Sequence, residues 1–148
     1  MDIRRIVTIS IKRMAQKYIV DDVVMYKNKI HTIIDTLGQN NYELSYIRHP
    51  VNQAELSGVP ITPEILEKNG WKKEVMSRGI KNSHWVYTKP DIEEYGYFPI
   101  YIEKGIGDEF DVYPFTGNHV CKQIAYIKHV HQLQHLLFGL SLNSEMEV

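Results

Sequence analysis

The sequence predicts an α+β fold: an N-terminal small antiparallel barrel-like meander, a short helix, a second antiparallel meander and a C-terminal helix packed on it. Three observations predict it. From Tyr18 onward, apolar and polar residues alternate in short runs, the period of half-buried strands. Clusters rich in Asn and Gly separate these runs at tight-turn spacing. One stretch, after Thr62, carries helix start and stop signals, and another, after Ile127, switches to three- and four-residue spacing, which puts apolar side chains on one helical face. Runs of strands and helices that do not alternate regularly belong to the α+β class rather than to a parallel-sheet fold.

The elements follow in order. Val7-Thr8-Ile9-Ser10-Ile11 has period two and reads as a strand, followed by the basic run Lys12 to Lys17. Asp22 to Tyr26 and Ile30 to Ile34 are strands joined at Lys27-Asn28-Lys29, where Asn tolerates positive φ. Gly38 to Asn41 is a second turn, and Tyr42 to Ile47 alternates again. Three such strands make a meander or small barrel, which limits open edges. Thr62-Pro63-Glu64 has the chemistry of a helix start. Thr caps free N–H groups, Pro gives up an N–H that has no partner there, and Glu sits at the positive end of the macrodipole. Asn69-Gly70 supplies the left-handed stop, so the helix has two turns and depends on Ile65, Leu66 and Trp71 packing elsewhere.

Ser83 to Thr88 reads as a strand ended by Pro90. Tyr97 to Glu103, Glu109 to Phe115 and His119 to Tyr126 follow, separated by turns at Gly105 to Asp108 and at Thr116-Gly117-Asn118. From Ile127 to Leu140 the spacing is helical, with Tyr126, Val130, Leu133, Leu137 and Leu140 on one face. These elements group into a β-rich lobe, residues 1–57, and an α+β lobe, residues 58–148, sharing one compact unit.

Composition bounds the function. The chain has 148 residues, 17 Lys and Arg against 18 Asp and Glu, and is 43% hydrophobic, an ordinary globular balance rather than a disordered one. Its single cysteine, Cys121, rules out an internal disulfide framework and a Cys-rich zinc module. A net charge of −1 excludes a generally basic nucleic-acid binder. No apolar run approaches the roughly 20 residues of a membrane span, and the N-terminal apolar stretch is too short and too polar for a signal peptide. The expected location is cytoplasmic, with either Met1 or Met14 as the native start.

Charge is segregated along the chain. Lys68, Lys72, Lys73, Arg78, Lys81 and Lys89 are six cations against Glu74, interleaved with Trp71, Trp85 and Tyr87. Seven carboxylates from Asp91 to Asp111 follow, and Arg4, Arg5, Lys12, Arg13 and Lys17 make the N-terminal arm basic. Cations beside aromatic faces suit single-stranded nucleic acid. Hence Trp71, Lys72, Lys73, Trp85 and Tyr87 are the candidate binding residues. The competing reading, preferred, is neutralisation between adjacent antiparallel strands. Asp108-Glu109-x-Asp111 lacks the alternate spacing of a calcium loop and reads as a solvated hairpin.

His131 and His135, four apart, share a helical face and are the candidate metal ligands. A zinc site needs further ligands and supporting hydrogen bonds, and no Glu of a metalloprotease motif lies between them. On a helical wheel they oppose the Leu133–Leu137 stripe and face solvent, so surface histidines are the preferred reading. Gln132 and Gln134 read as structural amides that satisfy backbone groups. Cys121, two residues from His119, reads as an inert core thiol rather than a nucleophile. No nucleophile elbow, P-loop or dinucleotide fingerprint occurs, so no cofactor and no catalytic residue is implied.

The final helix also carries a resemblance. Tyr126-Ile127-Lys128-His129-Val130-His131-Gln132-Leu133-Gln134, with Leu136, Phe138 and Leu140, resembles the C-terminal signature of a group of small uncharacterised proteins of Bacteroides-type bacteria and their phages and prophages. Val59 to Trp71 is similar to a second block of that group, and Asp22 to Ile34 to its usual start. The chain departs at His135, where the group has Asn, and at Gly139, Ser141 and Leu142. The resemblance implies a shared fold and a mobile-element setting, and no activity. The expected function is therefore a small non-enzymatic binding or accessory protein of phage or mobile-element origin, inhibiting or sequestering a host factor. Its partner would be a protein or a small molecule. The alternatives are a nucleic-acid-binding module built on residues 68–89 and a metal-dependent enzyme around His131 and His135.

Overall fold

The computed structural model describes residues 17–77, 83–89, 100–105, 107–116, 119–120 and 123–148. These residues form eleven strands and two α-helices, a predominantly antiparallel α+β fold in which one of two sheets curls into a half-barrel. Two compact units meet in the sequence between Val59 and Pro60, and each has its own sheet. The expected strand at residues 7–11, the basic arm, both candidate start methionines and Cys121 lie outside the described residues.

In the first unit, β1 (Val23–Tyr26), β2 (Lys29–Thr36), β3 (Asn41–Leu44), β4 (Val51–Asn52) and β5 (Leu56–Gly58) form one antiparallel sheet in the order β4-β3-β2-β1-β5. Lys27 and Asn28 both have positive φ, 47° and 61°, which gives the two-residue turn a twist matching the strands it joins. The register between β2 and β3 shifts between Ile33 and Asp35, an irregularity of the kind that bends a strand. β4 and β5, not foreseen from the sequence, are short and flank a 3₁₀ turn at Gln53–Glu55. Asn52 Oδ1 accepts the Ala54 N–H at 2.9 Å and Glu55 reaches back to the Asn52 N–H at 3.1 Å. The core of this unit is Tyr18, Val24, Tyr26, Ile33, Tyr42, Leu44, Val51 and Leu56, with Tyr18 set edge-on to Tyr42.

The second unit opens with α1 (Pro63–Lys68). Thr62 Oγ1 accepts the Ile65 N–H at 3.3 Å, as its capping role requires. At the other end the Gly70 N–H bonds to Glu67 O at 3.1 Å and the Trp71 N–H to Leu66 O at 3.0 Å, with Gly70 at φ 85°. That is a Schellman closure, and buried Leu66 and Trp71 are its usual apolar pair.

β6 (Lys72–Ser77), β7 (Ser83–Thr88), β8 (Ile100–Lys104) and β9 (Phe110–Thr116) follow as an antiparallel meander. β10 (His119–Val120) and β11 (Ala125–Ile127) both pair with β9, so the single strand expected over 119–126 is divided in two. The closing helix α2 (Val130–Gly139) starts later than its spacing suggests, because Ala125 to Ile127 continue the sheet. Consequently Val130, Leu133 and Leu137 are buried whereas Tyr126 and Leu140 are exposed. A bridge between Pro60 and His129, with the Ile61 N–H bonded to Lys128 O at 2.9 Å, ties the entry of α1 to the entry of α2.

Candidate functional site

The first unit carries an open cavity of about 470 Å³ lined by Tyr26, Lys27, Lys29, Ile30, His31, Tyr46, Ile47 and His49. It lies between the β1–β2 turn and the loop from β3 to β4, and local chemistry builds both walls. The Lys27-Asn28 turn places Tyr26 opposite Lys29 at the hairpin end. Across from it, the Ser45 N–H bonds to Thr32 O at 2.9 Å, and Ser45 Oγ accepts the Thr32 N–H at 2.9 Å. Ser45 O meets His31 Nδ1 at 2.8 Å. These three bonds clamp the start of the loop to β2, and Ile47 closes it with an N–H bond to Leu44 O at 3.2 Å.

Tyr46 sits on that clamped turn at φ 64° and is 98% exposed. A bulky L-residue at positive φ is strained, where Gly or Asn is the usual occupant. Its full exposure also forgoes the burial an aromatic ring normally contributes. Both features disfavour Tyr on grounds of stability, and residues of that kind concentrate at binding sites.

The floor is ordered. Tyr26 is buried, with His31 edge-on at 6.0 Å between centroids and His49 at 6.5 Å, while Lys27 Nζ lies 5.2 Å from its ring. His31 is 7% exposed. Because its Nδ1 faces a carbonyl oxygen it must carry the proton there, which leaves Nε2 as an acceptor in the neutral ring. Among the eight lining residues the formal charges are those of Lys27 and Lys29, both positive. The cavity therefore offers one free aromatic face, two ammonium groups, a fixed imidazole acceptor and apolar Ile30 and Ile47.

The residues singled out from the sequence lie in the second unit. Trp71 is 1% exposed and Tyr87 4%, both in the core, and among the described residues the Trp71 Nε1–H has no hydrogen-bond partner. Lys72 and Lys73 are exposed, and Trp85 is 55% exposed. Lys73 Nζ lies 4.8 Å from the Trp85 ring centroid, a cation–π contact between residues on one face of the β6–β7 pair. Thus Lys73 and Trp85 come together at the surface, with Val75 directly opposite Trp85. Trp71 and Tyr87 instead support the sheet from within.

His131 is buried at 4% exposure, against the solvent-facing position its helical wheel suggests. Its neighbours on the helix cover it: His129 stacks on His131 at 5.6 Å with an interplanar angle of 12°, and His135 packs edge-on at 5.7 Å. Among the described residues no group of three or more His, Cys, Asp or Glu is placed to hold a metal ion. Gln132 has the structural role its position implies: Oε1 accepts the N–H groups of Lys128 at 2.7 Å and His129 at 3.0 Å. On the acidic hairpin, Glu109 pairs with Lys128 at 3.2 Å and Asp111 accepts from Gln123 at 3.0 Å.

The cavity has a weak sequence signature. Lys27-Asn28-Lys29 marks the turn, but nothing local indicates that Tyr46 would take a positive φ or face the hairpin. No family model, curated protein or solved structure matches this chain, so its chemistry has to be read from its own residues. Among the described residues no helix is long and apolar enough to cross a membrane.

Proposed function

We propose that this is a small non-enzymatic binding protein, and that the cavity of its first unit is the ligand site. The observation that carries this reading is Tyr46, held at positive φ and fully exposed over a concave, cation-lined surface. A cavity of about 470 Å³ lies within the roughly 300–1,000 Å³ typical of small-molecule sites. The resemblance to phage and prophage proteins of Bacteroides-type bacteria supports a mobile-element origin, a setting in which sequestering or inhibiting a host factor is the role we assign. Native mass spectrometry of the full chain purified from its host tests the reading. A retained small molecule that the Tyr46→Gly variant fails to retain supports it. Retention that is indifferent to Tyr46 overturns it.

A second reading has its own observation. Lys73 over Trp85 is a cationic aromatic surface of the type that contacts single-stranded nucleic acid. It predicts a salt-sensitive gel shift with short oligonucleotides that Lys73→Glu abolishes. The absence of any shift at low salt removes it.

A further inference from the structure

We infer that the ligand of the first unit's cavity is a free nucleoside phosphate. This rests on the reading of that cavity as the ligand site and identifies the chemical class that fits it. The cavity presents two kinds of recognition at once, and few small molecules satisfy both. Lys27 and Lys29 flank the hairpin turn two residues apart and give one end a positive charge, and no carboxylate lines the wall to oppose an anion. A phosphate is an anion that ammonium groups accommodate as point charges. On the opposing loop, Tyr46 exposes its ring, and the Ser45 clamp fixes the backbone that carries it. An exposed aromatic face suits a planar heterocycle, which stacks on it without needing hydrogen-bond readout.

Between these ends lies His31. Its Nδ1 is committed to Ser45 O at 2.8 Å, so the nitrogen left to meet a ligand is Nε2. In the neutral ring that atom accepts, and a nucleoside phosphate places hydroxyl donors between its base and its phosphate. His31 is 93% buried (100 minus its 7% exposure), so the acceptor belongs to a built site rather than to a mobile surface side chain. Ile30 and Ile47 supply apolar contact for the face of a base. The cavity is of single-ligand size, which favours a free nucleotide over a strand.

The experiment is isothermal titration of the full chain with a nucleoside monophosphate panel, the corresponding nucleosides, inorganic phosphate and a short single-stranded oligonucleotide. At least one monophosphate is expected to bind at least about tenfold tighter than its nucleoside and than inorganic phosphate. Tyr46→Gly and the double variant Lys27→Gln, Lys29→Gln should each weaken it about tenfold, with circular dichroism unchanged. Amide chemical shifts of the same samples locate the ligand. Monophosphates that bind no tighter than inorganic phosphate, or that fail to bind at millimolar concentration, overturn the proposal. So does an oligonucleotide that binds tenfold tighter than every monophosphate. If shifts at His31 and Tyr46 then appear with phosphate or with a host-derived compound, the cavity remains the ligand site and only the nucleotide assignment fails. If they appear with nothing, both readings fail together.

Discussion

Tyr46 is a residue whose local costs point one way and whose placement points the other. Left-handed backbone costs a β-carbon-bearing residue roughly 1–2 kcal/mol, part of which glycine's larger unfolded-state entropy offsets. Tyr46→Gly should therefore leave stability unchanged or raise it by up to about 1 kcal/mol in urea denaturation, while ligand retention falls. A loss of more than about 1 kcal/mol would show that the ring supports the fold instead. Asn69 presents the opposite case, a side chain whose every polar contact is structural. Its Nδ2 donates to Ile65 O at 2.8 Å and Glu147 O at 2.7 Å, and its Oδ1 accepts the Glu147 N–H at 2.8 Å. The amide thus stands in for a strand edge and holds the C-terminal segment against the end of α1. Asn69→Ala should cost about 1 kcal/mol and free residues near Glu147 to exchange their amide protons rapidly. Asn69→Asp should cost more, because it keeps one acceptor but sets a carboxylate against two carbonyl oxygens at the negative end of a helix.

At the scale of elements, what the sequence reveals depends on how local the determinant is. α1 was readable to the residue because Thr62, Pro63 and Gly70 act on backbone groups within one turn of themselves. The β1–β2 hairpin was readable for the same reason, since Lys27-Asn28 dictates the turn and the turn dictates the register. β4 and β5 were not, because two- and three-residue strands exist through the partners they find in β3 and β1. β6 was hidden differently: Lys72 and Lys73 read as a basic surface, and they are one, but the strand beneath them is set by pairing with β7. α2 shows tertiary override at its boundary. Helical spacing extends back to Tyr126, yet pairing of Ala125 to Ile127 with β9 delays the first turn to Val130. Gln132 makes that late start tolerable by accepting two N–H groups near the helix entry. Gln132→Ala should lower stability by about 1 kcal/mol, whereas Gln132→Glu keeps the acceptor and adds charge favourable at a helix N-terminus. Thermal denaturation should rank the proteins Glu, then Gln, then Ala. The cavity escaped the sequence for the reason β4 did, since its two walls are loops that meet only once the first sheet has formed.

For the molecule as a whole, each unit contains a buried tyrosine whose ionisation opposes folding. Burial pushes the Tyr42 phenol above its ordinary value of 10.0; a backbone hydrogen bond at Tyr18 opposes this in part, and repulsion from Tyr18 and Asp22 adds to it. In the second unit, burial raises Tyr87, and the charges of Glu67 and Glu64 on α1 act in the same direction. The sign of the consequence is fixed. Below the unfolded value both states hold the proton and stability is independent of these groups. As pH rises past it, the unfolded chain releases protons that the folded chain keeps, so stability falls until the folded values are passed. Each phenol contributes a slope of at most about 1.4 kcal/mol per pH unit in that window. Both tryptophans, Trp71 and Trp85, belong to the second unit, so their fluorescence reports its unfolding specifically. In denaturant titrations at alkaline pH, Tyr87→Phe should flatten the pH dependence seen by tryptophan, and Tyr42→Phe should leave it in place. The far-ultraviolet signal, which sees both sheets, should respond to either substitution. If Tyr42→Phe flattens the tryptophan signal as strongly as Tyr87→Phe does, the two units unfold as one cooperative body. If neither substitution changes any signal, the buried phenols do not govern the alkaline limit.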